Sequence, residues 1–225
     1  MRHSNECLIY IAMAHKQKPV YSKDEYISGE SLYQYLHKAM YDIFTGGGGA
    51  NTMTPRLYYI FLSQETELSQ KAISEMARKS LLTIASEDLQ LPVEDICIER
   101  GEYGKPYIKD HEEWQFNISH TDGLIVIAVA DCPIGIDVEK IREPDYRIAK
   151  RFFTKAENEY IGSDIEGRDV RFFEIWTKKE AYIKYIGKGL GEPLGNFDVT
   201  SMPEIYQTLR VGEYILTLCQ CAVHT

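Results

Sequence analysis

The chain has 225 residues, 44% of them hydrophobic and 26% charged, with a formal net charge of −9. That supplies a proper core for one large domain or two small ones, and the acidic balance argues against a general nucleic-acid binder. No run approaches the roughly 20 apolar residues of a membrane-spanning helix, and five cysteines without a CxxC pair suit reduced thiols in a cytoplasmic protein better than a zinc site.

In chain order, the apolar patch Leu8 to Ala14 has no small-residue cleavage site after it, so no signal peptide is expected. Asp24 to Phe44 carries an imperfect apolar stripe that predicts a helix. Gly46 to Gly49 reads as a linker, because a phosphate-cradling loop would need a Lys-Ser/Thr and a helix start after it. Arg56 to Ser63 predicts a strand and Gln64 to Leu89 a helix, with Pro92 beyond its end. Ile96 to Glu99 reads as a short strand, and Gly101 to Pro106 (GEYGKP) as a turn holding Lys105 on stiff backbone. That lysine is either a presented cation or a plain surface residue.

Phe116 to His120 starts a strand that breaks at Thr121-Asp122-Gly123. Leu124 to Ala130 (LIVIAVA) reads as a buried strand, and Ile134 to Ile141 as the next one. The short turn between them predicts an antiparallel hairpin. Asp145 is placed to cap a helix over 146–153, and Thr154 with Glu157 forms a capping box for a helix from Lys155. Arg171 to Leu190 predicts a long amphipathic helix stopped by Gly187. Phe197 to Ser201, Leu209 to Val211 and Tyr214 to Cys219 read as strands.

Two patterns carry chemistry. In the 134–141 strand, Ile134, Ile136 and Val138 alternate with Gly135, Asp137 and Glu139, so one face is apolar. The other presents two carboxylates beside a glycine that leaves room for a ligand. In the long helix, Glu180 precedes Lys184 by four residues, one turn away on the same face. The plain reading is a surface ion pair and a solvent-facing strand. The chemical reading has Asp137, Glu139 and Glu180 converge on a hard divalent cation such as magnesium, with Lys184, His120 and Ser119 facing phosphate, as in phosphoryl-type transfer. His120 also reads as a satisfied buried histidine. The basic stretch Arg147 to Lys155 and the group Lys178, Lys179, Lys184 and Lys188 suit a polyanionic ligand or an acidic partner, or simply two solvated helix faces.

GKP at 104–106, FNISH at 116–120, IGIDVEK at 134–140, KRFFTKAE at 150–157 and WTKKEAYIKYIGKGL at 176–190 come in one order. That order and spacing resemble the 4′-phosphopantetheinyl transferases, in their large, surfactin-synthetase-type branch. The likeness runs from about Arg78 to Phe197, roughly half the chain. It implies an α+β fold of two similar α/β lobes related by a pseudo-twofold, with coenzyme A bound between them. The corresponding division is an N-terminal extension with a glycine-rich linker over 1–55, an N-terminal lobe over 56–115 and a C-terminal lobe over 116–225 carrying the metal site. The implied activity is magnesium-dependent transfer of the phosphopantetheine arm of coenzyme A to a serine of an acyl or peptidyl carrier protein, releasing 3′,5′-adenosine bisphosphate. By position, Asp137, Glu139 and Glu180 would be metal ligands, and Lys105, Ser119, His120 and Lys184 would contact the coenzyme A phosphates. Glu180 would act as base and Lys184 on the leaving group. Two fused lobes would make a monomer sufficient.

The departure lies in the N-terminal part. Related proteins carry a basic segment after the first strand that helps to hold the 3′-phosphate. Here Ser63 leads into Glu65 and Glu67, leaving Lys71, Arg78 and Lys79 as substitutes. That feature favours the competing reading, a non-catalytic module that keeps a coenzyme A or carrier-protein surface. Generic metal phosphodiesterase chemistry with water as nucleophile is a third.

Overall fold

Every residue of the LIVIAVA run is buried. A strand with no polar face must be covered on both sides, and the layers of the fold follow from that need. A computed structural model of the chain describes residues 10–13, 55–62 and 68–221. The described strands are β1 (Tyr10–Met13), β2 (Arg56–Phe61), β3 (Ile98–Arg100), β4 (Pro106–Ile108), β5 (Gln115–Thr121), β6 (Leu124–Ala130), β7 (Ile134–Lys140), β8 (Tyr206–Val211) and β9 (Tyr214–Gln220). The described helices are α1 (Gln70–Leu89), α2 (Tyr146–Phe152), α3 (Lys155–Gly162) and α4 (Arg168–Ile186). The helix expected over 24–44 and the glycine run at 46–49 lie outside the described residues, and the helix expected from Gln64 begins at Gln70, where Ser69 caps it.

Strands β1, β2, β6 and β5 form one antiparallel sheet in that order, and β7, β9 and β8 form a second. The two sheets pack face to face through Leu57 and Tyr59, the even-numbered residues of β6, and Ile134, Ile136, Val138, Leu216 and Leu218. The far face of the first sheet, with Tyr58, Ile60, Ile125 and Ile127, is covered by Ile73, Ala77, Leu81 and Ile84 of α1. The far face of the second carries Ile215 and Cys219 under Phe172, Phe173, Ile175 and Ala181 of α4. The layers are therefore helix, sheet, sheet, helix, with one α/β pair repeated in each half of the molecule.

The hairpin expected between 124–130 and 134–141 is not formed. Both edges of β6 are taken, by β2 and by β5, so the chain crosses at Asp131–Pro133 into the other sheet, where β7 pairs with β9. The hairpin lies one strand earlier, where Thr121 faces Leu124 across a turn that needs the positive φ of Gly123. The expected lobe division between 115 and 116 accordingly falls inside the first sheet, since β5 and β6 both belong to it.

Local chemistry sets the helix ends. The Ser69 hydroxyl accepts the Ala72 N–H and caps α1. The Asp145 carboxylate caps α2, and Thr154 with Glu157 completes the capping box of α3. Gly187, with φ of 69°, ends α4 where the sequence pattern expects.

The strand expected over 197–201 is instead a short 3-10 turn at Val199–Ser201. Its cause is a buried ion pair. Lys179 and Glu157 both have side chains at 0% exposure, 2.8 Å apart. The Lys179 ammonium donates to the carbonyls of Leu194 (2.7 Å) and Phe197 (2.9 Å), and the Glu157 carboxylate accepts the Val199 N–H at 2.9 Å. Side chains satisfy the backbone of this segment, so no strand partner is needed.

Candidate active site

Strand β7 lies at the edge of its sheet, and β5 lies at the edge of the other. The two edges meet without backbone pairing. Asn117, Ser119 and Thr121 alternate along β5 and so share the face toward the second sheet. Their oxygens accept the backbone N–H groups of Ile136 (2.9 Å), Val138 (3.2 Å) and Lys140 (3.2 Å) in turn. Strand β7 is thus finished along one side by a ladder of side chains. This places Ser119 against Asp137, whose Oδ1 accepts the Ser119 hydroxyl at 2.8 Å.

Helix α4 covers the opposite face of β7 in antiparallel sense. The Trp176 indole donates to Glu139 Oε1 at 3.3 Å. Two turns on, the Lys184 ammonium donates to Asp137 Oδ1 (2.6 Å), the Ile136 carbonyl (3.0 Å) and Ser119 Oγ (3.1 Å). Glu180 lies between them on the same face. Close packing at Gly135 makes this possible, because a Cβ there would meet the Ala181 carbonyl oxygen and lie 2.5 Å from the Tyr185 nitrogen. The glycine therefore makes room for the helix backbone. The expectation that it leaves room for a ligand is corrected by that contact.

The electrostatics are uneven. Burial pushes the Asp137 carboxyl above its ordinary range, against the pull of Lys184 and Ser119. Its Oδ2 is buried without a hydrogen-bond partner among the described residues. Glu180 is raised too, first by burial and then by the charge of Asp137, with Glu139 adding to it and Lys184 opposing. Glu139 is held by Arg142 at 3.0 Å. The ion pair that the sequence suggests between Glu180 and Lys184 is replaced by one between Asp137 and Lys184.

Of the residues singled out from sequence, Asp137, Glu139, Glu180, Ser119 and Lys184 come together. Lys105 and His120 do not join that hydrogen-bond cluster. The Lys105 ammonium donates to the carbonyls of Ile134 (3.1 Å) and Tyr185 (3.2 Å), tying the 101–106 turn to the start of β7 and the end of α4. Burial lowers its pKa. His120 is exposed and, as the neighbour of Ser119 along β5, points to the other face of its sheet. Sequence reasoning missed Asn117, Thr121, Arg142 and Trp176. The polar alternation of Asn117, Ser119 and Thr121 was the available signal.

Among the described residues, no group of three His, Cys, Asp or Glu side chains is gathered as a metal site. The donor set nevertheless fits a hard cation at two points. Asp137 keeps one buried oxygen free, and the mutual charge that raises Glu180 is the kind a divalent ion relieves.

Comparison with known proteins bears on this geometry. A family model described as the 4′-phosphopantetheinyl transferase superfamily matches residues 133–224, and one described as 4′-phosphopantetheinyl transferase, N-terminal, matches residues 68–132. The boundary between the two falls at the crossing from β6 to β7. The chain is 42% identical over 125 residues to the 4′-phosphopantetheinyl transferase gsp of Aneurinibacillus migulanus, covering 54% of this chain and 49% of that protein. It is 41% identical over 118 residues to Sfp of Bacillus subtilis (strain 168), covering 52% and 53% respectively. With the 4′-phosphopantetheinyl transferase ffp of Bacillus subtilis the identity is 33% over 168 residues, covering 71% of this chain and 75% of the relative. Against gsp and Sfp the matched region spans about half of the relative's length.

Proposed function

The chain belongs to the 4′-phosphopantetheinyl transferase superfamily, and from that premise we propose that it transfers the 4′-phosphopantetheine arm of coenzyme A to a serine hydroxyl of an acyl or peptidyl carrier protein. The observation that supports this most directly is the convergence of Asp137, Ser119 and Lys184 beside Glu180, where β5, β7 and α4 meet. Asp137, Glu139 and Glu180 would hold a magnesium ion, which when bound supplies positive charge against the pyrophosphate.

In this reading Glu180 takes the serine proton. Its position supports the role, one turn before Lys184 on the face of α4 that covers β7. The serine oxygen then attacks the phosphorus nearer the pantetheine. The bond from that phosphorus to the bridging oxygen breaks, and 3′,5′-adenosine bisphosphate leaves with the oxygen. The Lys184 ammonium, 2.6 Å from Asp137, is the cation nearest the acids and would stabilise the charge on the leaving phosphate. Ser119 is assigned to the coenzyme A phosphates; Lys105 would reach them only by releasing the Ile134 and Tyr185 carbonyls, and His120 only by way of the other face of β5. The same reading has the protein act in the cytoplasm as a monomer. Among the described residues no helix is long and apolar enough to cross a membrane.

A second reading is a non-catalytic module that binds coenzyme A or a carrier protein. It is favoured by one observation: Lys184 and Lys105 both spend their ammonium groups on protein acceptors. One assay decides between the two. Protein, coenzyme A, magnesium and an apo carrier protein are incubated, and the carrier is weighed by mass spectrometry. A phosphopantetheine-sized gain, abolished by chelator and by Glu180→Gln, is expected. Coenzyme A binding without gain supports the module, and coenzyme A cleavage without gain means hydrolysis.

A further inference from the structure

Strands β7 and β9 pair with Ile134 opposite Gln220. Continuing that register by one residue sets Pro133 against Cys221, with Cys132 beside it at the β6–β7 crossing. That register brings the two cysteines to the same end of the β7–β9 pair, close enough for the Cys221 thiol to act on the titration of Cys132. Both are free, Cys221 exposed and Cys132 partly buried. Neither belongs to the cluster of Asp137, Ser119, Glu180 and Lys184. Tyr185, near the C-terminal end of α4, lies within electrostatic reach of Cys132, Cys219 and Cys221.

We propose that Cys132 and Cys221 form a redox modification site that closes reversibly to an intramolecular disulfide when the surroundings supply a small disulfide oxidant of the glutathione type. The exposed sulfur of Cys221 is the entry point. Its thiolate attacks the oxidant, one small thiol leaves, and a mixed disulfide remains on Cys221. The Cys132 sulfur, its proton lost to solvent, then attacks the Cys221 sulfur and expels the second small thiol. Two protein thiols are oxidised by two electrons and one small disulfide is reduced to two thiols. Before oxidation, burial pushes the Cys132 thiol up to about 12, helped by the hydrogen bond and charge of Cys221.

Cys219 is the competing partner, and the geometry disfavours it. It is 0% exposed and packed in the α4 core. It also stands two residues before Cys221, which follows the last residue of β9, and in extended backbone that is a span of about 6.7 Å, near the upper limit for a disulfide. The Cys132–Cys221 link would tie the end of β9 to the crossing between the two sheets, and so restrain the unfolded chain over a long loop.

The test is equilibration of the full chain in glutathione buffers of rising oxidised fraction, followed by acid quench, alkylation and digestion without reduction. The expected result is one linked peptide pair carrying Cys132 and Cys221. Cys97 stays alkylated, and the link reverses in reduced buffer. It is lost in Cys132→Ser and in Cys221→Ser and kept in Cys219→Ser. The oxidised protein should melt at a higher temperature than the reduced one. Both thiols remaining alkylatable in oxidised buffer, glutathione staying on Cys221 without closure, or a Cys219–Cys221 link would each overturn the proposal.

Discussion

Replacing Gly135 by alanine puts a Cβ against the backbone of α4, where no side chain can swing aside. The added atom meets the Ala181 carbonyl oxygen and sits 2.5 Å from the Tyr185 nitrogen and 3.0 Å from its Cα. Ordinary contact requires about 3.4 Å, so the helix must withdraw from β7 by at least about 1 Å. Overpacking of this kind costs about 2 to 3 kcal/mol, which in a chain of this size lowers the melting temperature by roughly 5 to 10 °C. The same shift stretches the Lys184–Asp137 contact from 2.6 Å to about 3.6 Å, beyond hydrogen-bond range. A misplacement of about 1 Å among reacting groups costs on the order of 100-fold in turnover. The measurements are a thermal melt and the rate of carrier-protein loading, with far-ultraviolet circular dichroism to show that the fold persists. A Gly135→Ala protein with unchanged melting temperature and full loading rate would refute the packing argument. Lost stability with full turnover would refute the step from helix position to chemistry.

Lys179→Met leaves the Glu157 carboxylate buried without its cation and frees the Leu194 and Phe197 carbonyls. A loss of about 3 to 5 kcal/mol is expected in urea denaturation, and Glu157→Gln in the same background should recover part of it. Asn117→Ala removes the acceptor of the Ile136 N–H and should cost about 1 to 3 kcal/mol by the same measurement. Its effect on loading should be smaller than that of Ser119→Ala, which also frees Asp137. For pH, the side-chain and backbone hydrogen bonds from Arg147 hold the Asp145 carboxyl down at about 2. A folded pKa below the unfolded one gives stability that is present above the unfolded value and lost as pH falls through the folded one. The stability difference between the wild type and Asp145→Asn, read by urea midpoints, should be constant above about pH 5 and shrink as pH falls below 4 toward 2. A difference that grows on acidification would contradict this.

Elements whose signal is local were legible in the sequence. The Thr154–Glu157 capping box, the Asp145 cap and the Gly187 stop each rest on a side chain or φ angle that acts within a few residues. Strand partners were not, because pairing is a property of the whole sheet. LIVIAVA announces burial, but only β2 and β5 on its flanks decide that it cannot also pair with β7. The failed strand at 197–201 has the same kind of cause. Its backbone is claimed by Lys179 and Glu157, which lie 18 and 42 residues away in the relevant bonds. In the candidate site, residue types and spacing named the acids and Lys184, whereas the partner of Lys184 followed from packing. A lysine four residues from Glu180 pairs with Asp137 because β7 lies beneath the helix at Gly135 distance.

The location of the cluster has a physical reason in the edge of β7. An edge strand exposes alternate N–H and C=O groups that must find partners. On β7 the N–H groups of Ile136, Val138 and Lys140 go to Asn117, Ser119 and Thr121. The carbonyls of Ile134 and Ile136 go to the ammonium groups of Lys105 and Lys184. Had β5 paired with β7 through backbone, neither the hydroxyls nor the cations would be needed there. Polar side chains are drawn to this seam by an unsatisfied ladder, and the two carboxylates of β7 then lie beside them. Lys184 consequently carries two loads, since its ammonium completes the ladder as well as facing Asp137. The effect of Lys184→Ala on loading therefore contains a positioning share, and Ser119→Ala, which loosens Asp137 while keeping the ammonium, separates that share from the chemical one. If the two variants lose turnover equally, the ladder dominates. A much larger loss in Lys184→Ala assigns the difference to charge on the leaving phosphate.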